Sequence, residues 1–143
     1  MQRNDFWFFH PFRVRYSEID GQSVVFNAHY LTYFDTAITE YFRALGHDYV
    51  AEVARTGVDF HTVKTLVEYK APIRFDEEVF VGVRTGRIGR SSLAFALAIF
   101  GSKTDDDLRA TGEVVWVYTD QSTHETVPVS DDLRALIAAR EGK

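Results

Sequence analysis

The spacing of hydrophobic and polar positions changes near Asn27. Before this residue, apolar side chains alternate with polar ones, which is the period of a half-buried strand. We therefore predict a first strand over residues 6–17, with these inward positions: Phe12, Val14 and Tyr16. After Asn27, apolar residues recur at helical spacing, namely Tyr30, Phe34, Ala37, Ile38, Tyr41, Phe42 and Leu45. This pattern predicts a long helix with one aromatic face that ends at Gly46, because glycine favours the left-handed position after a helix.

The second half of the chain has strand character in four segments separated by proline, glycine or polar breaks. The predicted strands are Val58–Lys70, Glu78–Arg87, Ser92–Ser102 and Leu108–Thr119. In the third, bulky residues alternate with alanines, so one face is small enough for a helix or a second protomer to approach closely. A short helical pattern precedes Gly57, and a clearer one covers Asp131–Arg140, which we expect to cap the sheet.

The breaks between the later strands are too short for the crossovers that parallel strands require. We therefore predict an α+β fold in which an antiparallel sheet wraps around one long central helix. Residues 1–143 are expected to form one domain, with a core at about residues 10–139. A single sheet has an outer face and two edges to cover, which favours self-association.

Composition narrows the functional classes. The chain has 143 residues, 45% of them hydrophobic and 15% aromatic, which is typical of a folded globular protein with a bulky core. A net charge of −5 provides no basic field for nucleic acid or an anionic membrane. The absence of cysteine excludes thiol chemistry, and the five histidines lack metal-ligand spacing. We expect no metal and no cofactor.

Membrane insertion and export are also disfavoured by the sequence. No run approaches the roughly 18 apolar residues of a membrane helix. The apolar cluster at residues 6–9 lacks the long hydrophobic region and cleavage site of a signal peptide. We therefore expect a cytoplasmic protein.

One acid precedes the predicted helix by a few residues. Asp20 lies seven residues before Asn27, and a carboxylate beside unpaired backbone N–H groups can attack a carbonyl and hold the resulting negative oxygen. From these residues alone, Asp20 followed by Gly21 is more typical of a turn, and Asn27 of a helix cap. Glu18 either pairs with Asp20 or is an exposed acid at the end of the strand, and we favour the exposed acid.

The order of the motifs is more specific than any one motif. The aromatic helix is preceded by the motif Glu18-x-Asp20-x-Gln22-x-x-Val25-Phe26-Asn27-x-x-Tyr30. It is followed by three more motifs: Val67-Glu68-Tyr69-x-Ala71-Pro72-x-Arg74, Gly89-Arg90-Ser91-Ser92 and Ala110-Thr111-Gly112. In this order the chain resembles the hotdog-fold acyl-CoA thioesterases of the 4-hydroxybenzoyl-CoA thioesterase-like family. The resemblance implies a hotdog domain acting as a homodimer or homotetramer, with acyl-CoA bound between protomers and hydrolysed to a free acid and CoA.

The resemblance also implies roles for individual residues. Asp20 matches the family's catalytic aspartate, which acts as a nucleophile or as a general base. The backbone N–H of Asn27 would polarise the thioester carbonyl, and the Arg90, Ser91 and Ser92 turn would contact CoA. None of these roles follows from composition or periodicity alone.

Ser23 departs from the family pattern, which generally has glycine at this position. Serine there either tolerates the turn, with Gly21 supplying the flexibility, or narrows the site. Two alternatives to an acyl-CoA thioesterase therefore stay open. One is hydrolysis of acyl groups on acyl carrier protein, and the other is a non-catalytic acyl-CoA-binding module.

Overall fold

The structure is a computed structural model, and residues 1–142 are described. Its strands are β1 (Phe9–Arg13), β2 (Val58–Tyr69), β3 (Glu78–Ile88), β4 (Ser92–Phe100) and β5 (Leu108–Asp120). Its helices are α1 (His29–Leu45), α2 (Tyr49–Thr56) and α3 (Asp131–Glu141). The five strands form one antiparallel sheet in the order β1-β3-β4-β5-β2. This confirms the predicted α+β hotdog fold.

The apolar face of α1 forms the centre of the core. Its buried residues are Tyr30, Tyr33, Phe34, Ala37, Ile38, Tyr41, Phe42 and Leu45. They pack in one cluster with the bulky residues of β4, which are Leu93, Phe95, Leu97 and Ile99. The helix ends where predicted, because Gly46 takes the left-handed conformation with φ 86°. It begins at His29, two residues after the predicted start.

Close approach of α1 to the sheet depends on a glycine in β5. Gly112 lies beneath the Phe34 ring, and a Cβ added at this position would overlap Cε2 of that ring. The alanines of β4 do not serve this purpose, because strand residues alternate between faces and the bulky residues of β4 face the helix. One of these alanines, Ala98, packs in a separate cluster with Phe6 and Phe100.

The predicted first strand is wrong at both ends. β1 pairs with β3 only from Phe9 opposite Gly82 to Arg13 opposite Glu78. Beyond it, Tyr16–Glu18 forms a 3-10 turn that directs Glu18 inward and leaves Tyr16 exposed. Alternation alone could not distinguish this turn from a continuing strand. The other four strands end within two residues of their predicted limits.

β2 is an edge strand with one uncovered side. It pairs with β5 alone, and its register shifts between Thr62 and Lys64. Three of its apolar side chains are exposed: Val63, Leu66 and Tyr69. Such an edge offers unpaired backbone groups to another strand.

Within residues 1–142, no helix has both the length and the apolar character needed to cross a membrane.

Candidate active site

The loop between β1 and α1 forms a tight turn at Asp20. The Asp20 carbonyl accepts a hydrogen bond from Ser23 N at 3.0 Å, and Asp20 N donates to Val24 O at 2.9 Å. The side-chain Oδ1 of Asp20 accepts from Gln22 N at 2.8 Å. The other oxygen, Oδ2, has no hydrogen-bond partner within residues 1–142. Asp20 therefore has the turn geometry that the residues alone predict, with one carboxylate oxygen still available.

Asn27 lies just outside the first turn of α1. Its carbonyl accepts hydrogen bonds from Tyr30 N and from the Tyr69 hydroxyl, both at 3.3 Å. Its own N–H meets no acceptor in the described part of the chain. The N-cap position is Ala28, without a side-chain cap, so the Asn27 side chain does not serve as the predicted structural cap. The backbone of Asn27 provides an unpaired donor.

Asp20 and Asn27 line the same open pocket. Its volume is about 350 Å³, and its other walls are Val24, Val25, Tyr30, Tyr69, Lys70, Ala71 and Pro72. Burial raises the pKa of the Tyr30 hydroxyl, so this wall stays neutral at physiological pH. Among residues 1–142, no three His, Asp or Glu side chains are grouped as metal ligands. The pocket is therefore bordered by one residue with a free carboxylate oxygen and one with an unpaired backbone donor, the two groups that suit attack on a carbonyl carbon.

Glu18 is buried, and the expectation of an exposed acid is wrong. Its Oε1 accepts hydrogen bonds from Arg15 N and the Tyr33 hydroxyl, both at 2.8 Å, and its Oε2 lies 2.7 Å from the Arg15 guanidinium. Burial alone would raise the pKa of Glu18, but these hydrogen bonds outweigh burial and lower the pKa. Both Glu18 oxygens are thus occupied in fastening residues 15–18 to α1, so Glu18 and Asp20 do not form a carboxylate pair.

The Arg90-Ser91-Ser92 turn lies at the other end of the sheet within one chain. It connects β3 to β4, beside Ile88 opposite Leu93 and Ser92 opposite Val117. The Asp20 pocket instead includes Tyr69, which is opposite Ala110. The turn is anchored by its own carbonyls, since Arg90 O accepts from Val129 N and Ser91 O from Tyr118 N, both at 2.8 Å. A single chain does not bring this predicted CoA site to Asp20.

A second cavity, of about 590 Å³, lies between the C-terminal half of α1 and β2. Phe42, Phe60 and Trp116 form an aromatic wall, with the Trp116 ring stacked 3.5 Å from Phe60 and 5.5 Å from Phe42 between centroids. The polar side chains at its edge include Asp35 and Thr39. The sequence pattern does not predict this cavity, because its aromatic residues come from three elements that are far apart along the chain.

Ser23 itself has the left-handed backbone conformation, with φ 62°. Gly21 does not supply the flexibility, since the described glycines with positive φ are Gly46, Gly57 and Gly142. A side chain with a Cβ costs about 1–2 kcal/mol in the left-handed backbone conformation. Replacing Ser23 with glycine would remove this strain, but the greater freedom of glycine in the unfolded chain would offset part of the gain in stability.

We therefore expect Ser23→Gly to raise the free energy of unfolding by up to about 1 kcal/mol, measured by urea denaturation. Ser17→Gly is the matched control, because Ser17 is also exposed but lies outside the left-handed region. That control should bring no gain. A loss of stability in Ser23→Gly, or an equal gain in both variants, would contradict strain at Ser23.

Comparison with known proteins places the chain in a family. A model of the family described as the thioesterase-like superfamily matches residues 14–137. The acyl-CoA thioester hydrolase YbgC of Escherichia coli O6:H1 is 30% identical over 112 residues, covering 77% of this chain and 80% of YbgC. A putative esterase of Aquifex aeolicus is 27% identical over 88 residues, covering 62% of this chain and 68% of that protein.

Solved structures show the same fold. The PA5185 protein of Pseudomonas aeruginosa is 28% identical with a TM-score of 0.83, and the match covers 96% of this chain and 94% of that one. Slr0204 of Synechocystis, a 1,4-dihydroxy-2-naphthoyl-CoA thioesterase, has a TM-score of 0.85 at 13% identity, covering 94% and 97%. The likeness to Slr0204 concerns the fold alone. Given the family match along most of its length, this chain belongs to the thioesterase-like superfamily and is a thioester hydrolase.

Proposed function

We propose that the protein hydrolyses acyl-CoA to a free acid and CoA at the Asp20 pocket. The observation that carries this proposal is that one open pocket is lined by Asp20, whose carboxylate keeps one oxygen without a partner, and by Asn27, whose backbone N–H meets no acceptor in the described residues. The relation to YbgC, which is named an acyl-CoA thioester hydrolase, supports CoA as the group that carries the acyl chain.

Asp20 acts in one of two ways. As a nucleophile, its free oxygen attacks the thioester carbonyl carbon, the C–S bond breaks to release CoA, and water then hydrolyses the mixed anhydride. As a general base, it takes a proton from the water that attacks the same carbon. In both routes negative charge develops on the carbonyl oxygen. The Asn27 N–H donates to that oxygen, and the positive end of the α1 dipole adds to the stabilisation.

Two chains share each site in a homodimer or homotetramer. Within one chain, the 590 Å³ cavity and the Arg90-Ser91-Ser92 turn both lie toward the start of β2, whereas Asp20 lies near its end. Antiparallel pairing of two free β2 edges would bring the turn and cavity of one chain toward Asp20 of the other. The turn then provides a guanidinium and hydroxyls for CoA, and the cavity holds the acyl group.

A hydrolysis screen tests this function. We expect medium, long or aromatic acyl-CoAs to have a higher kcat/KM than acetyl-CoA, because the aromatic cavity gains more from burying a larger apolar group. Matched acyl carrier protein substrates belong in the same screen, and a higher kcat/KM for these would identify a carrier-protein thioesterase. Binding of every acyl-CoA without turnover would overturn the proposal in favour of the non-catalytic module that Ser23 suggests.

A further inference from the structure

Arg109 is a buried charge beside the Asp20 pocket, and the proposed chemistry does not use it. Its side chain is 2% exposed. Nε and Nη2 donate to Asp107, both at 2.9 Å, while Nη2 and Nη1 donate to Glu77 at 2.7 and 3.1 Å. Nη1 also donates to the carbonyl of Pro72 at 2.8 Å. All five N–H donors of the guanidinium are therefore used.

The surroundings of Arg109 are shaped to hold this group. A Cβ added at Gly101 would overlap Arg109 Nη2, so the neighbouring turn can approach only because residue 101 is glycine. The hydrogen bonds from Arg109 lower the pKa of Glu77 and lower that of Asp107 to about 2. Both carboxylates are thus charged at neutral pH, and together they compensate the buried cation.

Arg109 contacts the wall of the Asp20 pocket directly. Its backbone carbonyl accepts hydrogen bonds from Lys70 N at 2.9 Å and Ala71 N at 3.1 Å. Its guanidinium holds the carbonyl of the next residue, Pro72. Lys70, Ala71 and Pro72 line the same pocket as Asp20 and Asn27.

Glu77 connects Arg109 to the loop between β1 and α1, which carries Asp20 and Asn27. Glu77 Oε1 accepts from Arg74 N at 2.8 Å, which fixes the segment that follows Pro72. The same segment then pairs with the loop, as Val25 N donates to Ile73 O at 2.8 Å and Phe75 N donates to Ser23 O at 3.3 Å. Residues 23–25 lie between Asp20 and Asn27 in the chain, so this pairing sets how the two groups are placed.

The Asp107 side leads away from the pocket. Asp107 Oδ2 accepts from Lys103 N at 2.8 Å, and the Asp107 carbonyl accepts from Gly101 N at 2.9 Å. These contacts stabilise the turn between β4 and β5. Arg109 therefore binds two carboxylates that contact different parts of the fold. Glu77 contacts the segment that pairs with the loop between β1 and α1, whereas Asp107 contacts the turn between β4 and β5.

We propose that Arg109 is a positioning residue for thioester hydrolysis: through Pro72 and Glu77 it holds residues 72–77 against residues 23–25, and so fixes the Asp20 carboxylate relative to the Asn27 N–H. This inference rests on the proposed function. Asp107 balances the charge of Arg109 without taking part in positioning.

Comparison of Glu77→Gln with Asp107→Asn tests the proposal. Each variant removes one of the two carboxylate charges that pair with the Arg109 guanidinium, and each keeps the shape of the side chain. We expect Glu77→Gln to lower kcat by about 10–100-fold with KM changed less than about 2-fold, since small misplacement of reacting groups is costly. Both variants should lower the melting temperature by similar amounts. Asp107→Asn, however, should leave kcat near that of the wild type.

Amide hydrogen exchange gives a readout that does not depend on activity. Exchange of the Val25 and Phe75 amides, which donate across the pairing of the two segments, should become faster in Glu77→Gln and stay unchanged in Asp107→Asn. If Glu77→Gln does not fold, Glu77→Asp retracts the carboxylate by one methylene while keeping its charge and serves the same comparison.

The outcomes separate this inference from the proposed function. Wild-type protein that hydrolyses no acyl-CoA would overturn the proposed function, whatever the exchange data show. If the wild type is active, two results would overturn the positioning role alone: an equal loss of kcat in both variants, or no loss in Glu77→Gln. Either result would show that Arg109, Glu77 and Asp107 contribute to stability only.

Discussion

We expect Asp20→Asn to lower kcat for acyl-CoA hydrolysis by about 10²–10⁴-fold without unfolding the protein. Asparagine still presents an oxygen to Gln22 N, so the turn is kept. Its amide, however, can neither attack the thioester nor take a proton from water. Turnover is measured as CoA thiol released, and the protein gives no background because it contains no cysteine. The melting temperature reports folding.

Asp120→Asn is the matched control. Asp120 lies at the end of β5, and its Oδ1 accepts from Ser122 N at 2.8 Å and Thr123 N at 3.2 Å, so it makes the same kind of turn as Asp20. It is not part of the Asp20 pocket. We expect this control to keep its activity. Near-normal turnover in folded Asp20→Asn, or equal loss in both variants, would contradict a chemical role for Asp20.

Co-expression tests whether two chains share the Asp20 site. Arg90→Ala should raise KM for acyl-CoA by about 10-fold, the loss expected for one charged contact. In a mixed dimer of Asp20→Asn and Arg90→Ala chains, a shared arrangement places both changes in one site and leaves the other site native. Activity at low substrate concentration should then exceed that of either variant alone. No recovery in a verified mixed dimer would contradict sharing.

We expect Gly112→Ala to have the largest effect on stability, lowering the free energy of unfolding by about 1–3 kcal/mol in urea denaturation. The added Cβ would overlap Cε2 of Phe34 and lie 2.9 Å from the Leu66 carbonyl. Phe34 is fully buried, and side chains in a close-packed core have little room to move. Gly21→Ala is the control, because its Cβ meets no atom within 4 Å and its φ is not positive.

A double-mutant cycle identifies the contact. Phe34→Leu removes part of the ring that the new methyl group would meet, so Gly112→Ala should cost less in the Phe34→Leu background than in the wild type. Recovery will be incomplete, since the Leu66 carbonyl is unchanged. Strictly additive losses would contradict the Phe34 overlap as the cause, as would equal destabilisation in the Gly21→Ala control.

The elements were predictable because burial along one helix or strand leaves a local period in the sequence. The helical spacing after Asn27 and the four later strands were found in this way, and they match the structure closely. The turn at Tyr16–Glu18 was not, since its apolar and polar residues alternate like those of a strand. Glu18 was misjudged for a different reason, since its partner Tyr33 is fifteen residues away, on α1.

The sequence by itself determined the long helix, the four later strands and the turn at Asp20, because these depend on residues only a few positions apart. Tertiary structure alone decided the pocket walls, the burial of Arg109 between Glu77 and Asp107, and the separation of Arg90 from Asp20 within one chain. These features depend on strand register and on close packing between distant segments. No local pattern of hydrophobic and polar residues encodes such contacts.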